Sequence, residues 1–336
     1  MIKEAIAKIT ERIDLTEIEA EDVMREIMEG VATSAQIASY ITALRMKGES
    51  LSEICGSARV MREKSTKIRV NDSNVVDTCG TGGDQKQTFN ISTTVAFVLA
   101  GAGVTVAKHG NRSVSSLCGS ADVLKALGVK IDIPSDRVEA CVNEIGIGFL
   151  FAPLFHGAMK YAAIPRQEIG IRTLFNILGP LTNPAGASVQ VMGVFSAGLT
   201  DLLAQVLLNL GSQHCFVVHG IDGLDEITIT GKSRISEGKE GRVASYFIEP
   251  EEVGLPMGKP ADLGGGDPDV NAAVLNAILK REKGPRRDIV LMNAAPALVA
   301  VGRAKNMKDA VALAEESLDA GKALEKLSAL REMTNR

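Results

Sequence analysis

The sequence predicts a two-part α/β protein: a small all-helical domain over residues 1–70, then a larger α/β domain over 71–336 with a mostly parallel central sheet. Three observations predict it. No strand pattern precedes Val75, and the first seventy residues contain four helical patterns with caps. From Val75 onward, short β-branched runs alternate with helical stretches, the signature of a parallel sheet with helices on its faces. A chain of 336 residues with 45% hydrophobic content can also bury the core of one large domain or two modest ones.

In the helical part, Ile2, Ile6, Ile9 and Ile13 form one apolar stripe. Thr16 with Glu19, and Ser50 with Glu53, have the spacing of capping boxes, and Gly30 and Gly48 fit helix stops. In the second part the strand patterns are Val75-Val76, 104–107, 129–133, 188–194 and 215–219. The Gly- and Pro-containing segment 178–184 interrupts the alternation. It reads as a second hinge, with a segment near 160–185 completing the helical domain.

Charged residues make up 23% and the formal net charge is −4, so no basic excess is available to neutralise a nucleic-acid backbone. Anionic ligands must be met by local sites. The uncharged stretches 90–107 and 173–200 contain too much Gly, Pro, Ser, Thr and Asn for membrane spans and read as buried loop, helix and strand units. The start, with a lysine and an acid in its first four residues, does not read as a secretory signal. Cys55, Cys79, Cys118, Cys141 and Cys215 are odd in number and lack metal-site spacing, which is expected of reduced thiols in a cytoplasmic protein.

Two loops carry chemistry. After the run Val75-Val76-Asp77 comes Gly80-Thr81-Gly82-Gly83-Asp84, with a helix opening near Asn90-Ile91-Ser92-Thr93. Glycines that let N–H groups converge, followed by a helix N-terminus, make an anion cradle; a tight turn is the alternative. It is neither a Walker sequence nor a dinucleotide fingerprint. After the run 104–107 stands Lys108-His109-Gly110-Asn111-Arg112-Ser113-Val114-Ser115-Ser116, then Ser120. Two cations, an amide and several hydroxyls suit a ligand with several phosphate oxygens; a solvated basic turn is the alternative. The adjacent acids Asp225-Glu226 could hold a hard divalent cation or form an ordinary surface loop. His109 could take up a proton or simply bond to backbone, His156 could line a channel, and His214 and His219 fit the ends of a strand.

Taken together, these motifs, with Arg172 through Asn176 to Pro184, His219 to Glu226, Ala38 to Gly48 and Asn293-Ala294-Ala295, resemble the anthranilate phosphoribosyltransferase family over nearly the whole chain. The resemblance implies a homodimer with its active site in a hinge cleft between the two domains. The reaction implied is transfer of the 5-phosphoribosyl group from phosphoribosyl pyrophosphate (PRPP) to anthranilate, the second step from chorismate to tryptophan. Gly80, Gly83, Asp84, Thr88, Asn90, Ile91, Ser92, Thr93, Lys108 to Ser116 and Ser120 match the family's PRPP contacts. Gly80, Asn111 and Arg166 match its anthranilate contacts, with His109, His156 and Tyr161 as further candidates. Ser92, Asp225 and Glu226 match its ligands for magnesium, up to two ions per subunit. Near Arg166 the sequence departs from the family pattern, with Gly157 for proline, Tyr161 for histidine and Gln167 for a second arginine. Two rival readings are a pyrimidine nucleoside phosphorylase-like enzyme, which the Lys108–Arg112 motif disfavours, and a non-enzymatic nucleic-acid-binding relative, which the net charge disfavours.

Overall fold

A computed structural model describes residues 1–84, 86–113 and 117–336. The chain opens with helices α1 (Ile2–Thr10), α2 (Glu17–Met28), α3 (Ser34–Lys47) and α4 (Leu51–Lys64). It continues through β1 (Val76–Gly80), α5 (Ile91–Gly101), β2 (Val106–Gly110), α6 (Ser120–Ala126), α7 (Ser135–Ile145), β3 (Ile147–Phe151) and α8 (Ala152–Phe155). Then come α9 (Lys160–Ile169), α10 (Phe175–Leu178), β4 (Val189–Gly193), α11 (Thr200–Asn209), β5 (His214–Gly220), β6 (Ser233–Lys239) and β7 (Arg242–Ile248). Four helices close the chain: α12 (Pro268–Leu279), α13 (Pro285–Ala300), α14 (Met307–Asp319) and α15 (Lys322–Asn335). Residues Met1–Lys67 with Pro153–Pro184 form one compact unit, and Ile68–Ala152 with Ala185–Arg336 form another.

In the helical unit both expected capping boxes form: Thr16 and Ser50 accept from the N–H groups of Glu19 and Glu53, whose side chains reach back. Gly48 caps α3, and Gly30 follows α2 with φ of 75°. Glu53 is fully buried, and it is tolerated because its carboxylate accepts from Leu15 N (3.0 Å), Ser50 N (2.7 Å) and Lys47 Nζ (3.0 Å). One side chain thus ties the α1–α2 turn to the start of α4. Where α4 crosses α2, the residue is Gly56: a Cβ there would lie 2.4 Å from the Glu17 carbonyl oxygen.

The second unit is built on a seven-stranded sheet in the order β3-β2-β1-β4-β5-β6-β7. The first five positions pair in parallel, and β6 and β7 add as an antiparallel hairpin. Helix α5 has no charged residue, and ten of its eleven residues are buried, between the sheet and helices α13, α14 and α15. The sequence connections run to one side from β1 and to the other from β4, so the carboxyl ends of these neighbours flank a topological switch point, where open α/β sheets bind ligands.

Two expectations need correction. Residues 129–133 are not a strand. Val129, Ile131 and Ile133 are buried, but Val129 N bonds to Leu124 O and Lys130 N to Thr334 Oγ1, so the backbone bonds to helix ends and pairs with no strand. The sheet's outer parallel strand is instead β3, a wholly buried Ile-Gly-Phe-Leu-Phe run without the alternation that marks a half-exposed strand. β2 also begins two residues later than expected, which places Lys108, His109 and Gly110 in the strand and not in the loop after it. All five cysteines are buried, and among the described residues no helix is long and apolar enough to cross a membrane.

Gly56→Ala is expected to destabilise the helical unit by ~1–3 kcal/mol, the scale of overpacking at a close helix crossing. The measurement is the urea midpoint of unfolding, and an unchanged midpoint would show that α2 and α4 separate without strain.

Candidate active site

The first loop leaves β1 at Gly80. Thr81 N donates to Gly193 O (2.9 Å), and Thr81 Oγ1 accepts from Phe195 N (3.2 Å), so the loop is anchored to the end of β4. Gly82 and Gly83 adopt φ of 66° and 78°, a left-handed path that a branched residue resists. Thr88 forms a bridge with Gly264. Asn90 stands at the N-cap of α5, where its Nδ2 donates to Cys118 O (3.1 Å). Ile91 and Thr93 are buried, so their side chains belong to the core and only their main chain can face a ligand.

The acid pair lies in the loop after β5, and the fold brings it to the same place. Glu226 Oε1 accepts from Ser92 N (3.1 Å) in the first turn of α5, where the helix dipole favours a carboxylate. Asp225 Oδ2 accepts from Gly82 N (2.8 Å), and a Cβ on Gly80 would lie 2.8 Å from that same oxygen. Lys108, buried in β2, donates from Nζ to Thr78 O and to Ser92 Oγ, the latter at 3.3 Å. Enclosure by the loops raises both carboxyls above their ordinary range, and the charges of Asp84 on Asp225 and of Asp225 on Glu226 push the same way. Burial lowers the Lys108 ammonium, against the pull of Asp77 and Glu226. Negative charge is therefore held here at a penalty that a cation would relieve.

Among the described residues no three His, Cys, Asp or Glu side chains form a metal cage. Two carboxylates and the Ser92 hydroxyl nevertheless fit a hard cation such as magnesium, which takes its remaining oxygens from phosphates and water.

The second loop leaves β2. His109, itself buried, donates its backbone N–H to Asp77 Oδ1 (3.2 Å). A Cβ on Gly110 would lie 2.3 Å from Ser120 Oγ, which in turn donates to Asn111 O (3.2 Å). Asn111 Oδ1 accepts from Arg112 N (2.7 Å), and the Arg112 guanidinium lies 6.0 Å from the Phe151 ring centre. Asp122 accepts from both Ser113 N (3.2 Å) and Gly119 N (3.0 Å), closing the loop's two ends on one carboxylate. Val114, Ser115 and Ser116 lie outside the described residues.

The other candidates lie in the helical unit. Arg166, on α9, is half-buried with its guanidinium 5.1 Å from the Phe175 ring centre, and burial lowers its pKa. His156 is buried, which together with the charge of Lys67 lowers its pKa to about 4, so the ring is neutral at pH 7. The Tyr161 ring lies against Gly30, where a Cβ would stand 2.5 Å from Cε1; this contact needs a glycine opposite the tyrosine. A side chain at Gly157 would meet nothing within 4 Å among the described residues, and Gln167 is exposed. His214 and His219 sit in β5, bonded to Glu237 Oε1 and Val194 O, both at 2.7 Å.

Sequence reasoning missed Asp77, Asp122 and Gly193. A Cβ on Gly193 would fall 1.5 Å from Asp225 O, so the acid-bearing loop presses directly on the end of β4. The only available signal was a glycine within an otherwise β-branched run.

Two family models match the chain: the helical bundle domain of a glycosyl transferase family over residues 3–65, and the a/b domain of that family over 72–324. An anthranilate phosphoribosyltransferase of Geotalea uraniireducens is 57% identical over the whole of both chains. One of Syntrophobacter fumaroxidans is 56% identical over 100% of this chain and 99% of its own. Among solved structures, anthranilate phosphoribosyltransferase from Thermus thermophilus superimposes with a TM-score of 0.94 at 44% identity, over 99% of each chain. The Saccharomyces cerevisiae enzyme in complex with PRPP and Mg gives 0.90 at 27% identity, over 99% of this chain and 98% of that one.

Gly80→Ala is expected to push the Asp225 carboxylate aside and weaken divalent-cation binding roughly 10–100-fold, the scale for disturbing a group that orients a metal ligand. Manganese binding in the presence of PRPP, followed by electron paramagnetic resonance, measures it; an unchanged affinity would show that Asp225 has room to move without consequence.

Proposed function

The chain belongs to the anthranilate phosphoribosyltransferases of this glycosyl transferase family, and from that premise we propose how its own residues carry the reaction. The reaction transfers the 5-phosphoribosyl group of PRPP to the amine of anthranilate, giving N-(5-phosphoribosyl)anthranilate and pyrophosphate, a step of tryptophan biosynthesis. The observation that carries the residue assignment is the convergence of Ser92, Lys108, Asp225 and Glu226 at the N-terminus of α5, beside the glycine loop.

The main chain of Gly80 to Asp84 and of Asn90 to Thr93, with Thr88, receives the phosphates of PRPP. Lys108, Gly110, Asn111, Arg112, Ser113 and Ser120 supply the second wall, with Val114, Ser115 and Ser116 assigned to it from sequence alone. Ser92, Asp225 and Glu226 hold magnesium, up to two ions per subunit. Bound magnesium supplies countercharge to the departing pyrophosphate. Lys108 adds a fixed positive charge on the same side, and the first turn of α5 adds its dipole.

The acceptor is an aromatic amine and is already neutral at pH 7, so the protein's task at the ribose anomeric carbon is alignment and charge stabilisation, not prior deprotonation. Arg166 reads the acceptor carboxylate, for which a guanidinium is the bidentate partner. Gly80 and Asn111 bound the acceptor on the donor side, and His109, His156 and Tyr161 are further contacts. His156, neutral at pH 7, presents a polar ring without adding charge. The same reading makes the protein a cytoplasmic homodimer. Its helical unit exposes Ile18, Val31, Met46 and Ile164, each more than 60% accessible.

The direct test is a fluorescence assay: purified protein with PRPP, magnesium and anthranilate should consume anthranilate fluorescence, and chelation should stop it. Glu226→Ala and Asp225→Ala should suppress turnover more than they lower the melting temperature; activity that survives chelation would refute the metal assignment.

Arg166→Ala should weaken anthranilate use by ~2–5 kcal/mol, the scale for truncating one partner of a desolvated charge pair, with donor binding much less affected. Steady-state kinetics with anthranilate and with aniline, which lacks the carboxylate, measure the effect. Wild-type protein should strongly prefer anthranilate, and the variant should lose most of that preference. Full retention of discrimination would assign the carboxylate to another residue.

A further inference from the structure

We propose that Asn293 is a positioning residue for the acid pair, fixing Glu226 and Asp225 for magnesium by clamping the backbone of Ile227. Asn293 lies on α13 and is 2% exposed. Its Oδ1 accepts from Ile227 N (2.8 Å), while its Nδ2 donates to Ile227 O (2.8 Å) and to Ile289 O (2.8 Å) in its own helix. One side chain therefore holds both main-chain groups of the residue directly after Glu226.

The consequence follows from where those groups sit in the chain. The N–H of Ile227 belongs to the peptide plane joining 226 to 227, so the clamp fixes the plane on the carboxyl side of Glu226. The carbonyl of Asp225 belongs to the plane joining 225 to 226, and Gly193 of β4 stands against that oxygen so closely that a Cβ would fall 1.5 Å from it. The Cα of Glu226 is thus bracketed by two peptide planes, one seated on β4 and one tied to α13. With both flanking planes set, the direction in which Glu226 leaves the backbone is set too, and its carboxylate meets Ser92 N at 3.1 Å.

A loop carrying two crowded acids would otherwise relax by swinging them apart into solvent, since both residues keep part of their surface exposed. Buried amides that clamp backbone bidentately are suited to resisting this, because every bond they break leaves an unsatisfied buried group. Neighbouring knots support the clamp without replacing it: Asp222 accepts from Thr228 Oγ1 (2.7 Å), Thr230 Oγ1 (2.6 Å) and Leu224 N (3.1 Å), holding the loop's base.

The inference rests on the acid pair being the magnesium site, and the test separates the two. Manganese binding to the full-length protein in the presence of PRPP is followed by electron paramagnetic resonance of the free ion, alongside the magnesium dependence of steady-state turnover. Asn293→Ala and the milder Asn293→Ser should raise the manganese dissociation constant and the magnesium activation constant together, roughly 10–100-fold. Turnover at saturating magnesium should recover to within a few-fold of wild type. Val290→Ala, a buried truncation on the same helix, should lower the melting temperature without moving either metal constant. Folded Asn293 variants with wild-type manganese affinity, or with no larger shift than Val290→Ala, would overturn the inference while leaving the metal assignment standing. If Glu226→Gln itself leaves manganese binding unchanged, the metal assignment fails and the inference falls with it.

Discussion

The contact on which the functional geometry of the α/β unit depends is the meeting of Glu226 with the backbone N–H of Ser92. It joins the loop after β5 to the first turn of α5, elements more than 130 residues apart in sequence. A carboxylate at a helix N-terminus is favourable by itself. Here it is also crowded by Asp225, and Asp225 by Asp84, so the arrangement is held together while carrying more negative charge than its enclosed surroundings readily accept. Sheet, helix and loop all contribute to holding that charge in place.

Glycine makes such closeness possible. Gly193 lets the Asp225 carbonyl sit on the end of β4, Gly80 leaves space beside the Asp225 carboxylate, and Gly110 makes way for Ser120. Each stands at the end of its strand, where the absence of a Cβ lets a neighbouring loop approach closely. The parallel order around β1 and β4 then directs these crowded ends to one edge of the sheet.

Much of this was legible in the sequence, for identifiable reasons. Helices α2 and α4 announce themselves through side chains that cap their own backbone, and α1 through its apolar spacing, local patterns that the sequence records. The glycine loop and the run from Lys108 to Ser113 are similarly local. What escaped was non-local. The stretch 129–133 alternates like a strand because its apolar residues dock under helices, and nothing nearby in sequence says that Lys130 bonds to Thr334. β3 is buried on both faces and so lacks alternation, while β6, Ser-Arg-Ile-Ser-Glu-Gly-Lys, is polar enough to pass for loop. Gly193 and Asn293 act on residues 32 and 66 positions away, and their roles emerge only when the sheet and α13 are assembled.

The distribution of charge also explains why the site needs no nucleophile and base pair. Anthranilate brings a neutral amine, and pyrophosphate leaves with multiple negative charges, so the difficult part of the reaction is on the leaving-group side. In the proposed reading the residues gathered at α5 answer that need: a helix N-terminus, a buried lysine on β2 and, on the loop after β5, two carboxylates suited to a divalent cation. His109 donates its backbone N–H to Asp77 Oδ1, which anchors the strand end. A site organised in this way selects its chemistry through preorganised charge.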